Sequence, residues 1–194
     1  MTTMPNTDDR RKKFTIAVFV YLSFLYATLG VTPYFFRWLL RTLGRDAYAH
    51  SITLFLAGAA LLIMFNWRDS LKTLTVPRWV GLVCVGAGYV GILNMVAVAA
   101  KQLHTLQYGL LVWLVMETMR GKFPLSRVYA QAALITMAAA ALDEGIQAWL
   151  PNRHGQMADV LLDGLSILLA QATILLVRDA GEIKLAGGQT SPSE

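Results

Sequence analysis

Charge is scarce in this chain. Only 15% of its 194 residues are Asp, Glu, Lys or Arg, against 56% hydrophobic, and the mean hydropathy is +0.50. Soluble domains carry about a quarter charged residues, so this composition excludes an ordinary water-soluble fold. Cysteine is almost missing: the lone Cys84 excludes an internal disulfide and argues against redox chemistry, and it reads as a small buried hydrophobe. Compact catalytic signatures are missing too. There is no His-Glu-x-x-His and no Gly-x-Ser-x-Gly; His104, Glu144, Asp159 and Asp163 offer mixed nitrogen and oxygen donors but at no compact ligand spacing, and Ser166 lies in an apolar run with no matching base. No metal and no cofactor is expected. A clean small-x-small cleavage site is also lacking after the first apolar run, near Ala27-Thr28-Leu29.

What is abundant is apolar sequence in membrane-length runs. About 20 residues of helix cross a bilayer core, and six runs approach that length: Phe14–Val31, Ala47–Trp67, Trp79–Val96, Leu103–Met119, Val128–Leu150 and Met157–Val177. The expectation is an all-α, polytopic transmembrane bundle of about six spans. It divides into a basic N-terminus over 1–13, one bundle over 14–178 and a disordered polar tail over 179–194. The first run follows Arg10-Arg11-Lys12-Lys13 and is too long for a secretory signal core, so it reads as a retained signal anchor.

The net charge of +5 and pI near 9.5 invite a nucleic-acid reading, but the distribution of the bases opposes it. Arg10, Arg11, Lys12, Lys13, Arg68, Lys72, Arg78, Arg120, Lys122, Arg127, Arg178 and Lys184 fall in alternate connecting segments and termini. Arg37, Arg41, Arg45, Lys101 and Arg153 fall in the others. This bias follows the positive-inside rule and predicts both termini in the cytoplasm. Arg37, Arg41 and Arg45 recur every fourth residue opposite Trp38, Leu39 and Leu43, which suits a short helix on the outer membrane surface. The turn between the third and fourth runs is marked only by Asn94, Lys101 and Gln102. Gly86, Gly88 and Gly91 are expected to let a neighbouring helix approach.

The scarce charges converge on one place. Asp143, Glu144, Gln147, Arg153, Asp159 and Asp163 surround the last turn, and intramembrane charge is costly unless paired or used. Ala132, Thr136 and Ala140 form a small-residue stripe that Glu144 continues, which aims its carboxylate into the bundle. With six spans, Lys101, His104 and Tyr108 on one helix face reach the same outer depth as Glu144 with Gln147 and Asp159 with Asp163. Each has a plain structural reading as well. Asp159 suits a helix cap, Arg153 a clasp to Glu144 or Asp159, Tyr108 an interfacial anchor, and Gln147 a bridging amide. His50 and His154 read as surface residues, and Pro151 as a helix stop.

Lys101-x-x-His104-x-x-x-Tyr108-Gly109 resembles the first motif of the VanZ-like family of bacterial membrane proteins. Glu144-x-x-Gln147-x-x-x-Pro151-x-Arg153 followed by Asp159-x-x-x-Asp163 is similar to its second. The likeness covers 101–176, with Asn152 and Asp163 departing from the family's usual glycine and asparagine. The family is named for a protein linked to teicoplanin resistance. The resemblance implies a multi-pass protein of the bacterial cytoplasmic membrane that contributes to glycopeptide resistance.

The joint expectation is a binding site for an amphiphilic envelope component, a lipid-linked glycan or a lipoglycopeptide, formed by Lys101, His104, Tyr108, Glu144, Gln147, Arg153, Asp159 and Asp163. One alternative is an intramembrane enzyme using Glu144 or Asp159 with His104 as acid and base. Another is a structural or assembly protein whose cluster clasps helices. Membrane lipids are the expected partners, with a protein partner or homo-oligomer left open and nucleic acid excluded.

Overall fold

The computed structural model describes residues 7–96, 99–151 and 155–179, and within them the chain is helical with no strand. The order is α1 (Thr7–Thr28), α2 (Thr32–Leu43), α3 (Arg45–Asn66), α4 (Arg68–Lys72), α5 (Val76–Met95), α6 (Ala99–Met119), α7 (Leu125–Trp149) and α8 (Met157–Ile174), closed by a π-helical turn over Leu175–Asp179. Breakers set the joints. Pro33 and Pro77 stand at helix starts, where a missing N–H costs nothing. Gly44 and Gly121 take the positive φ values of 78° and 76° that end α2 and follow α6.

Four helices are long and apolar enough to cross a membrane: α3, α5, α7, and α8 together with the π turn. A fifth candidate is α1 with α2, bent by 66° at residues 29–31. The chain therefore has the makeup of a multi-pass membrane protein. The expected fourth span, α6, falls short of the same test because its first turns carry Lys101, Gln102, His104 and Gln107. A helix enclosed by other helices need not be uniformly apolar, and α6 is the enclosed one.

The core explains this. Tyr108, Leu111, Val112, Val115 and Met116 of α6 meet Val128, Ala132 and Ala140 of α7 and Ile167, Ala170 and Ile174 of α8. Packed outside this three-helix centre, α1 is pinned by Tyr21, whose hydroxyl donates to the carbonyl of Gln107, and Tyr26, which donates to that of Ala139. The helices α3 and α5 bury little: Leu54, Phe55, Leu61, Leu62, Val80, Val83 and Val90 are all exposed. Apolar surface on this scale marks a face for lipid rather than water.

Two expectations are corrected here. Cys84 is exposed on α5 instead of buried, because α5 touches its neighbours along one narrow side only. Of Gly86, Gly88 and Gly91, the three singled out in the sequence, only Gly88 serves close approach: a Cβ there would lie 3.0 Å from Leu169, whereas Gly86 and Gly91 face open space. Gly81, one heptad earlier, does the same against Leu176. α5 ends at Met95 and α6 begins at Ala99, and the Gln102 side-chain amide donates to the Leu93 carbonyl at 3.0 Å, tying α6 to α5. α2 carries Arg37 and Arg41 beside Tyr34 and Trp38 and buries none of its residues.

Candidate functional site

One end of the α6–α7–α8 core gathers most of the polar residues singled out in the sequence. Lys101, His104 and Tyr108 descend one face of α6 because they stand at i, i+3 and i+7. Asp143, Glu144 and Gln147 end α7, continuing the buried stripe of Ala132, Thr136 and Ala140. Asp159 and Asp163 open α8.

The contacts sort into a rim and a floor. At the rim, the Lys101 ammonium pairs with Asp159 and lies 3.5 Å from the Gln156 side-chain oxygen. Asp159 sits in the first turn of α8, whose N-cap, Gln156, makes no side-chain cap of its own. The Asp159 carboxylate is used across helices. At the floor, the Tyr108 hydroxyl donates to Asp143 Oδ2 at 2.6 Å. Gln147 Nε2 donates to Asp143 Oδ1 at 3.0 Å and Glu144 Oε1 at 3.2 Å, and the backbone N–H of Gln156 donates to Glu144 Oε2 at 2.9 Å. Buried polar groups are costly unless so satisfied.

Between rim and floor lies a less settled contact. His104 Nδ1 stands 3.4 Å from Asp163 Oδ1 without hydrogen-bond alignment, and Asp163 Oδ2 is buried with no hydrogen-bond partner. Asp163 itself is 2% exposed. The donor atoms of His104, Glu144 and Asp163 all lie within 4.8 Å of one another. The sequence offered these three donors, with Asp159, only as scattered residues, because they come from three helices.

A narrow crevice of about 10 Å³ lies beside these residues. It is lined by Lys101, His104, Thr105, Asp159, Asp163 and Ser166 and by the apolar Ile92, Val96 and Leu162. The Ser166 hydroxyl is committed to the Leu162 carbonyl at 2.9 Å, which leaves it no nucleophilic arrangement.

Arg153, Asn152 and His154 lie outside the described residues, as does the expected tail except for its first residue, Asp179, which is helical and fully buried instead of disordered. His50 is exposed, with Nδ1 2.7 Å from the Asp46 carbonyl oxygen. The residue the sequence reading undervalued is Asp143, 2% exposed and held by two partners. The signal available was its i, i+4 spacing to Gln147.

A second polar cluster occupies the opposite end of the core, and the sequence reading did not assemble it. Glu117, 3% exposed, receives Arg10 of α1 at 2.8 Å, Arg120 Nε at 2.9 Å and Arg178 of the π turn. Asp179 is fully buried. Arg120 grips it with two nitrogens at 2.9 and 2.6 Å, and Tyr129 donates to it at 2.8 Å. The π turn rotates Arg178 and Asp179 so that both reach this cluster from consecutive positions. Arg10 and Arg178 therefore stand at the same end of the bundle.

Compared with protein-family models, curated proteins and solved structures, the chain matches none.

Proposed function

We propose that this chain is a six-span, VanZ-like protein of the bacterial cytoplasmic membrane that binds an amphiphilic envelope component at the crevice between α5, α6 and α8. The supporting observation is the mixed lining of the crevice, which brings the Lys101 ammonium, the His104 imidazole and two carboxylates together with Ile92, Val96 and Leu162. At about 10 Å³ the crevice admits only a water-sized group, so an amphiphile would lie across its mouth, with its polar head on the charged residues and its acyl chain along the apolar ones. Among the described residues the cluster holds four carboxylates against Lys101 and His104, so it favours a head rich in hydroxyl or ammonium donors. A lipid-linked glycan or a lipoglycopeptide has that chemistry, and the resemblance of Lys101-x-x-His104-x-x-x-Tyr108 and its partner motif to the VanZ-like family supports the same class.

In this reading α6 is the sixth membrane-crossing helix, shielded by its neighbours, and the Glu117–Arg10–Arg178 end faces the cytoplasm in accord with the positive-inside rule. The crevice then faces outward, and α2 lies on the outer surface with its arginines at headgroup level.

A structural role is favoured for the floor alone. The Tyr108–Asp143–Gln147–Glu144 chain joins α6 to α7 and reaches the backbone of Gln156, so it clasps helices. The rim is the binding part.

The test is binding of an acylated glycopeptide and its deacylated form to the chain in nanodiscs. Saturable binding of the acylated form alone, weakened at least about tenfold by Lys101→Ala with Asp159→Asn, is expected. Binding that ignores both the acyl chain and the double substitution refutes the reading. Turnover of a lipid-linked glycan, abolished by His104→Ala, would replace it with the acid–base enzyme.

A further inference from the structure

We propose that His104, Glu144 and Asp163 form a three-ligand site for a divalent transition-metal ion of the Zn2+ type at the junction of α6, α7 and α8. The inference is independent of the amphiphile reading, because it concerns the depth of the cluster below the rim.

Three observations carry it. The first is the unpartnered oxygen. Asp163 is 2% exposed, and its Oδ2 has no hydrogen-bond donor, while His104 Nδ1 beside it meets only Asp163 Oδ1, at 3.4 Å and out of hydrogen-bond alignment. A buried carboxylate oxygen and a buried imidazole nitrogen left in this way call for a further partner.

The second is spacing. Ligands about 2.0–2.2 Å from a tetrahedral Zn2+ stand about 3.4 Å from one another. His104 Nδ1 and Asp163 Oδ1 are 3.4 Å apart, and the Glu144 donor atom lies within 4.8 Å of both partners. Closing the third corner takes a shift of roughly 1 Å at the end of a glutamate side chain, well within its rotamer freedom.

The third is the surrounding shell. Metal-binding carboxylates are themselves held by hydrogen bonds that orient them. Glu144 is held by Gln147 Nε2 and the Gln156 N–H, and Gln147 is in turn fixed on Asp143, which Tyr108 holds at 2.6 Å. These bonds leave Glu144 oxygen lone pairs free to ligate, since a carboxylate offers about four acceptor sites.

The donor set selects the ion. One imidazole with two carboxylates suits Zn2+ and its first-row neighbours, whereas Mg2+ and Ca2+ prefer oxygen-only shells. Two carboxylates also neutralise the ion's charge, which a site away from water requires. Three protein ligands leave one position open, and since His104 and Asp163 also line the crevice, that position borders the same space.

The experiment uses the full chain purified in detergent, stripped with a chelator and titrated with Zn2+ by calorimetry, with no amphiphile present. One equivalent is expected to bind, and His104→Ala or Asp163→Asn should weaken it by about 100-fold or more. Asp69→Asn, in an exposed ion pair far from the cluster, should leave it unchanged. Co2+ added to the unsubstituted protein should give the intense visible absorption of a tetrahedral site, a readout that does not depend on any variant folding. Absence of saturable Zn2+ binding, absence of that absorption, or Zn2+ affinity unaltered in a folded His104→Ala protein would each overturn the proposal. None of these results alters what the amphiphile titration reports.

Discussion

Arg120 is the most consequential single residue at the Glu117–Asp179 end of the bundle, and its removal has a calculable effect. Its guanidinium makes two hydrogen bonds to Asp179, at 2.9 and 2.6 Å, and its Nε lies 2.9 Å from Glu117. Glu117 retains Arg10 and Arg178 when Arg120 is lost. Asp179 does not fare as well: among the described residues it keeps only the Tyr129 hydroxyl, and it is fully buried. Arg120→Met preserves much of the side chain's apolar stem and strands that carboxylate. Breaking a buried pair in this way costs about 3–5 kcal/mol. Asp179→Asn in the same background removes the stranded charge, so the double variant should recover at least about 2 kcal/mol of the sum of the single losses. That recovery amounts to roughly a 30-fold change in the folding equilibrium. Arg120→Lys should fall between the two, because an ammonium cannot grip both carboxylate oxygens as the planar fork does. Reversible unfolding of the four proteins in bicelles, read by tryptophan fluorescence, measures the cycle. Strict additivity of Arg120→Met and Asp179→Asn would refute the reasoning.

The turn before α8 and the membrane topology supply further tests. A Cβ at Gly155 would collide with the Glu144 carbonyl oxygen and lie 3.0 Å from Ala148 Cβ, so Gly155→Ala must displace the turn and pull the Gln156 N–H from Glu144. We expect a loss of about 1–3 kcal/mol in thermal or denaturant unfolding. Gly145→Ala, with nothing near its Cβ, should be neutral or slightly stabilising, and equal effects at the two glycines would contradict the packing. After Cys84→Ala, a cysteine at Gln156 should react with an impermeant thiol reagent applied to intact cells, and one at Lys122 only after lysis. The opposite pattern would invert the proposed orientation and close the crevice to envelope ligands.

Some of this was legible because it depends on local chemistry. Apolar run lengths near those of membrane-crossing helices require only counting, and they led to a helical membrane bundle. The depth of Glu144 followed from the i+4 repeat of Ala132, Thr136 and Ala140, since helical residues four apart share a face. The same periodicity grouped Lys101 with His104 and Tyr108, and Asp159 with Asp163, before any neighbour was known.

Only the tertiary structure decided who meets whom. Nothing local distinguishes α6, with its polar first turns, from a poor membrane span; its enclosure by α1, α7 and α8 makes those turns tolerable. Cys84 looked buried because a run of apolar residues does not reveal which side faces a neighbour and which faces lipid. Asp143, rather than Glu144 alone, became a floor residue when Tyr108 arrived from 35 residues earlier in the chain. Asp179 was expected to open a disordered tail, and packing instead buries it on Arg120 and Tyr129, while Glu117 meets Arg178 and Arg10 only because the π turn and α1 bring them to the same depth. The physical reason is common to all of these. Periodicity specifies the face a side chain occupies on its own helix, but the charge or donor that satisfies it comes from another helix, and that choice is made by packing.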